Sequence, residues 1–315
     1  MPIVRKIDKE ARALARAALG PLAIAMMNPA RRNRNLRAAA NFLVWCIQEN
    51  FCIDHSNDSL VHYLTLFASH LWQSGDGKDA LADTLFGVKL TVGGKHLDLS
   101  QPWQLFKKWS SLELPAQAPP LLKLELLALA GLAFEQGRWG LGAALLAGFD
   151  SFLRPGEFMG IAPQHLTFTD TAVVIYLGLT KGVKRRGGHE EVVIRDELLS
   201  RLFRRLYYAV PPGMPFSMMD PRQGRAWLLR SLRALKLQDR KIQLYSVRRG
   251  GLTQAFIDGA SLSSLCLRAR WQDPKLAKVY ITEGRQLVQT ASLSPAQLEK
   301  LNAAAATAAA ALGQI

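Results

Sequence analysis

Four separated stretches of this chain carry residue types that repay attention. In "FLRPGEF", Arg154 follows an apolar run, Pro155 opens a new helix and Glu157 stands three residues beyond the arginine. Lys181 lies in "LTKGVKRRGG", at the junction of a strand-like segment and a cationic turn, with Lys184 close enough to compete for its role. "LYSVRRGG" sets Tyr245 and Arg248 three apart, on one side of a helix that begins near them. "RARWQDPKLAKVYI" holds Trp271 and, nine residues later, Tyr280. Each piece alone has an ordinary structural reading. Arg154 and Glu157 are spaced for an ion pair, hairpin-tip lysines are usually solvated, and a Trp and Tyr on nearby helical turns usually pack a core.

Taken together, these side chains suit one reaction, the attack of a phenol on a phosphodiester. The non-bridging oxygens gain charge in the pentavalent transition state, and two planar guanidiniums can each donate paired hydrogen bonds to them. A lysine whose pKa is lowered by neighbouring positive charge can protonate the leaving 5'-oxygen. Tyrosine is a weak nucleophile at its free pKa of about 10, so the same cationic site must position and activate it.

Composition agrees with a polyanionic partner. Forty Lys and Arg against twenty-five Asp and Glu leave a formal net charge of +15, and such an excess attracts polyanions through solvent. Nucleic acid is the leading partner, and a merely basic or ribosome-associated protein the alternative. With 49% hydrophobic and 21% charged residues the chain is globular, and its 315 residues fit two domains of ordinary size. Cys46, Cys52 and Cys266 are sparse and odd in number, which argues against a disulfide framework and for a reducing compartment. Cys46, Cys52 and His55 lack a convincing fourth ligand, so no metal and no other cofactor is expected. No apolar run approaches the roughly 20 residues of a membrane span; "WGLGAALLAGF" is broken by glycines and flanked by Arg138 and Asp150. No membrane partner is expected. The opening "RKIDKEARALARAAL" is basic and amphipathic, but Asp8, Glu10 and the lack of Ser make it a poor transit peptide, so a surface or DNA-side helix is expected.

The elements that must position these residues read as mainly α with a small antiparallel β-sheet. Residues 1–34 form a basic N-terminal segment, and residues 35–112 a helical domain in which "NLRAAANFLVWCIQENF" and "SNDSLVHYLTLFASHLWQ" repeat apolar residues at helical spacing. Asn57 or Ser59 is expected to cap the second helix. Pro115, Pro119 and Pro120 make residues 113–120 a linker. A second domain spans residues 121–290, with two buried helices, then "TAVVIYLGL" and "EEVVIRD" as a hairpin or small sheet with a cationic tip, then further helices. Ser294 and Pro295 supply an N-cap and first turn for a helix within the final segment, 291–315. Its "NAAAATAAAALGQI" is helical by propensity, with little to bury, so it reads as a packing tail or a frayed one.

With these motifs in this order, the sequence resembles the tyrosine recombinase or phage-integrase family, especially its eukaryotic mobile-element branches, over roughly residues 35–290. "FLRPGE" looks like the first-arginine motif, with Arg154 as the catalytic arginine and Glu157 as its acidic support. Lys181 resembles the β-hairpin lysine, "YSVRRGG" is similar to the His-x-x-Arg motif with Arg248 as the second arginine, Trp271 falls at the His or Trp donor position, and Tyr280 stands where the nucleophile belongs. The resemblance implies a core-binding domain plus a catalytic domain clamping double-stranded DNA, contacts from Lys184, Arg185, Arg186 and Arg249, and a homotetramer on paired sites with the C-terminal helix as a docking element. It also implies residence in the nucleus of a eukaryotic host or otherwise in the cytoplasm. Tyr245 departs from the pattern where histidine is usual, and no histidine follows His189, itself read as a surface residue. A phenol can donate a hydrogen bond to phosphate but cannot shuttle protons near neutral pH as imidazole does.

Overall fold

The computed structural model describes residues 13–14, 16–17, 28–53, 56–92, 97–113, 117–178 and 190–314. The chain divides into two compact units, Met1–Ala116 and Gln117–Ile315.

In the first unit, helix α1 runs Pro29–Gln48. It starts earlier than residue 35 because the Asn28 side chain accepts hydrogen bonds from the Ala30 and Arg31 amides and Pro29 fills the first helical position. Arg34 thereby belongs to the helix, where it pairs with Asp83 of α3 (Lys78–Val92) at 2.6 Å. Helix α2, Asn57–Gln73, is capped by Ser56, whose hydroxyl accepts from the Ser59 amide at 3.2 Å. Neither expected residue caps it: the Asn57 side chain instead accepts from the Asp98 amide at 2.8 Å, just ahead of α4 (Ser100–Leu112). The apolar stripes meet in a core of Phe42, Leu64, Phe67, Leu81, Leu85 and Trp109. Trp45 and Phe67 rings lie 5.1 Å apart there, and Cys46 is enclosed so that burial pushes its thiol up to about 11.

The second unit opens with α5 (Lys123–Glu135) and α6 (Trp139–Asp150), whose core faces are lined by Leu, Ala and Gly. Glu125 is fully buried, accepting from the Leu122 amide at 2.9 Å and pairing with Arg240 at 2.8 Å. The short α7 (Pro155–Met159) leads to a three-stranded antiparallel sheet in the order β1 (Leu166–Phe168), β2 (Val173–Tyr176), β3 (Glu191–Ile194). Strands β2 and β3 are the expected hairpin pair, with Val174 opposite Val193, and β1 adds a third strand through Thr167 opposite Val174. Val173, Ile175, Val192 and Ile194 turn inward, as period-two alternation requires. Helices α8 (Glu197–Ala209), α9 (Pro221–Ala234), α10 (Leu244–Ile257), α11 (Leu262–Arg268), α12 (Lys275–Tyr280) and α13 (Glu283–Ala291) follow.

The last helix, α14 (Pro295–Gly313), has the expected Ser294 cap and first-turn proline. It is neither frayed nor peripheral: Leu301, Ala304, Ala308 and Ala311 are buried in the main core against α5. Small residues on both helices allow the backbones to close in, since a methyl group added at Gly131 would lie 1.8 Å from the Ala304 carbonyl oxygen.

Candidate active site

Helix α10 is fixed by close packing at its centre. A side chain at Gly250 would meet the Leu121 carbonyl oxygen at 2.1 Å, and one at Gly251 the Phe149 carbonyl oxygen at 2.0 Å. Only glycine allows both backbones this near. The Leu121 amide also donates to the Ser246 carbonyl at 3.0 Å. The first turns of α10 are thus held rigidly, and they carry Tyr245, Arg248 and Arg249.

Arg248 is 1% exposed. Its two terminal nitrogens donate to the Phe152 carbonyl and, at 2.9 Å, to the Ala269 carbonyl, and its guanidinium lies 5.4 Å from the Trp271 ring centre and 5.8 Å from that of Tyr280. No carboxylate pairs with it among the described residues. Loss of hydration, then repulsion from Arg154 and Arg270, lowers its pKa to about 10. A buried guanidinium held this way is short of an anion.

Arg154 caps α7, with Glu157 at the third helical position. The carboxylate accepts from the Arg154 amide at 2.8 Å and pairs with its guanidinium at 2.6 Å, so the local ion pair and the proposed acidic support are one contact. The Arg154 side chain keeps 30% of its surface open. A cavity of about 590 Å³ lined by Pro155, Arg225, Gln243 and Tyr245 opens beside it.

The tyrosines meet directly. The Tyr245 and Tyr280 hydroxyls are 2.8 Å apart, and the Tyr280 ring lies 4.7 Å from that of Trp271. Burial, then the hydrogen bond to Tyr280, pushes the Tyr245 phenol up to about 12, against the opposing pull of Arg248 and Arg154. Tyr245 is therefore neutral at physiological pH, and its partner is the other phenol.

Arg249, expected among the DNA contacts, is only 4% exposed. It donates to the Gln117 side chain at 2.7 Å and to the Val279 carbonyl, and lies 5.6 Å from the Tyr280 ring centre. A group so enclosed holds the segment bearing Tyr280 instead of facing solvent. Lys181, Lys184, Arg185, Arg186 and His189 lie outside the described residues.

One participant escaped the sequence reading. Arg270, with its side chain 8% exposed, donates to Glu157 at 2.6 Å and approaches Glu190 at 3.3 Å. Its backbone is left-handed, at φ 59°, a region uncommon for arginine. In "RAR" it reads as a solvated charge, and no local spacing points to its distant carboxylate partners.

A helical unit followed by one in which helices pack with a small antiparallel sheet is the fold of known tyrosine recombinases, and this chain has that fold. A XerH site-specific recombinase in a post-cleavage complex with its palindromic difH substrate is similar, at a TM-score of 0.54 and 11% identity, over 82% of this chain and 78% of that one. The Tn1549 transposon integrase is similar both in complex with transposon right-end DNA, at 0.52 and 12% identity over 90% and 98% of the two chains, and in complex with circular intermediate DNA, at 0.53 and 13% over 89% and 98%. No family sequence model matches the chain, and no curated protein matches it in sequence.

Proposed function

We propose that the chain is a DNA strand transferase acting in site-specific recombination or integration through a 3'-phosphotyrosyl intermediate at Tyr280. The observation that carries this reading is Arg248, buried without a carboxylate partner among the described residues and 5.8 Å from the Tyr280 ring centre, near Arg154. A phosphodiester in that place would supply the missing anion, and the transition state, with more charge on its non-bridging oxygens, would gain more than the ground state.

The Tyr280 oxygen attacks phosphorus and the bond to the 5'-oxygen breaks. The Tyr280 phenolic proton passes to a non-bridging phosphate oxygen or water, while the neutral Tyr245 hydroxyl positions the Tyr280 oxygen through the 2.8 Å hydrogen bond. Lys181 protonates the departing 5'-oxygen. A 5'-hydroxyl then attacks the phosphotyrosine, restoring the phenol and joining a new strand with no external energy source. The first unit would be the core-binding domain, residues 121–290 the catalytic one, and the working assembly a homotetramer on paired sites. The +15 net charge supports phosphate contacts, with affinity falling as salt rises.

The test is a duplex nicked beside the scissile phosphate, which traps the covalent intermediate. A protein–DNA adduct that Tyr280→Phe abolishes supports the transferase. A second reading, a DNA-binding relic that no longer cuts, is favoured by Tyr245, because a neutral phenol is a poor proton acceptor. Tight duplex binding without an adduct would establish it. Relaxation of supercoiled plasmid without recombinant products would instead indicate a type IB topoisomerase activity.

A further inference from the structure

Arg270 joins parts of the site that are far apart in sequence. Glu157 is shared: one oxygen faces the Arg154 guanidinium at 2.6 Å, and the other accepts both the Arg154 amide at 2.8 Å and Arg270 at 2.6 Å. Arg270 also lies 3.3 Å from Glu190, whose carbonyl accepts the Leu177 amide at 2.9 Å where β2 and β3 diverge. The neighbouring residues are engaged as well: the Ala269 carbonyl accepts from Arg248 and the Trp271 ring packs against Tyr280, tilted by 43°. The left-handed backbone at Arg270 would suit glycine better, so the arginine is held there by what its side chain contacts.

The charges decide what those contacts do. Among the described residues, Arg154 and Arg270 pair with Glu157, Arg270 also reaches Glu190, and Arg248 lies near this group, three cations to two anions, all with side chains at most 30% exposed. Without Arg270 the described residues here would number two cations to two anions, and Arg154 would be the one described guanidinium pairing with Glu157. We propose that Arg270 is a positioning and charge-setting residue, which occupies the two carboxylates so that Arg154 and Arg248 remain available to an anion of the phosphodiester class. The inference rests on the reading of this site as a phosphodiester site, but not on its cutting DNA.

Orthovanadate, which mimics phosphorus in both its tetrahedral and five-coordinate forms, probes the site without DNA. Calorimetric titration at low ionic strength is expected to give at least tenfold weaker binding in Arg270→Gly, where glycine keeps the left-handed backbone. Arg270→Gly combined with Glu190→Gln, two cations to one anion among the described residues, should recover most of the loss, and Glu190→Gln alone should bind more tightly than the unaltered protein. Rescue in the double variant would also follow from relieving a buried carboxylate deprived of Arg270, so tighter binding in Glu190→Gln alone, which a purely structural pair would not give, is the deciding measurement. Unaltered binding in Arg270→Gly, or weak binding that Glu190→Gln leaves unrepaired, overturns the assignment. Should Arg270→Gly fail to fold, Glu190→Gln alone decides, with tighter binding in support and equal or weaker binding against. Absence of vanadate binding by the unaltered protein overturns both this inference and the phosphodiester reading. Vanadate binding with the expected variant pattern, but no Tyr280 adduct on nicked DNA, removes the strand-transfer reading alone.

Discussion

Tyr245 gives the sharpest prediction, because one oxygen–oxygen contact isolates its role. Replacing it with phenylalanine keeps the ring against Tyr280, 6.0 Å between centres, and removes only the 2.8 Å hydrogen bond. One neutral hydrogen bond in a half-buried site is worth about 1 kcal/mol, so adduct formation should slow about fivefold. Replacement with histidine works in the opposite direction. Burial and the neighbouring Arg154 and Arg248, which face this position, would hold the imidazole below its ordinary pKa of about 6.5. It would then be neutral at pH 7 and able to accept the Tyr280 proton. General-base assistance is worth about 10²–10⁴-fold, so Tyr245→His should cleave faster than the unaltered protein and lose that advantage as pH falls through its lowered pKa, short of the ordinary value of about 6.5. Tyr245 itself, deprotonating only at about 12, should add no inflection across the neutral range. Adduct accumulation on a nicked duplex, followed on denaturing gels across pH, measures all three rates. Unaltered kinetics in Tyr245→Phe would refute the positioning of Tyr280 by this hydrogen bond, and a pH-independent Tyr245→His would refute proton acceptance by an imidazole at that position.

Three further outcomes are expected. Arg248→Lys cannot bridge the Phe152 and Ala269 carbonyls, so it should lose about 1–2 kcal/mol in urea unfolding for an orphaned acceptor and at least about 100-fold in adduct formation. Gly250→Ala places a methyl 2.1 Å from the Leu121 carbonyl oxygen and should destabilise the second unit by about 3 kcal/mol, again read by urea unfolding. Ala308→Asp puts a carboxylate at a position that is 0% exposed, where an unpaired polar group costs several kcal/mol. The result should be a chain that unfolds at clearly lower urea, which a loosely attached tail would not produce.

What the sequence made legible follows the range of the interactions. The Ser294 cap, the β2–β3 hairpin and the Arg154–Glu157 pair depend on neighbours within a few positions or on local composition, so the sequence reveals them. Strand β1 is three residues long and exists only through its pairing with β2, too little for an alternation pattern. The alanine-rich helix misleads a count of large apolar residues, because what it contributes is close backbone approach to α5 at Gly131. Ser56 takes the cap from Asn57 because Asn57 is drawn to Asp98, across the first unit. Arg270 depends on Glu157, 113 residues away, and is invisible to any local pattern.

The paired arginines of "VRRGG" carry this argument to the nucleophile. Consecutive helical residues point about 100° apart, so Arg248 and Arg249 leave α10 in different directions. Arg248 reaches Phe152 and Ala269, and Arg249 reaches Gln117 and the Val279 carbonyl, one residue before Tyr280. Both guanidiniums nevertheless lie within 6 Å of the Tyr280 ring centre, at 5.8 and 5.6 Å, so the phenol is located by α10 at two points as well as by its own helix. Loss of activity on substituting Arg249 would therefore report a displaced Tyr280, and should appear with duplex affinity nearly unchanged. A surface phosphate contact predicts the reverse, weaker binding and a shallower salt dependence with the adduct rate of bound complexes intact. The burial of Arg249 argues for the first pattern, and equilibrium binding at two salt concentrations, set beside single-turnover cleavage, separates them.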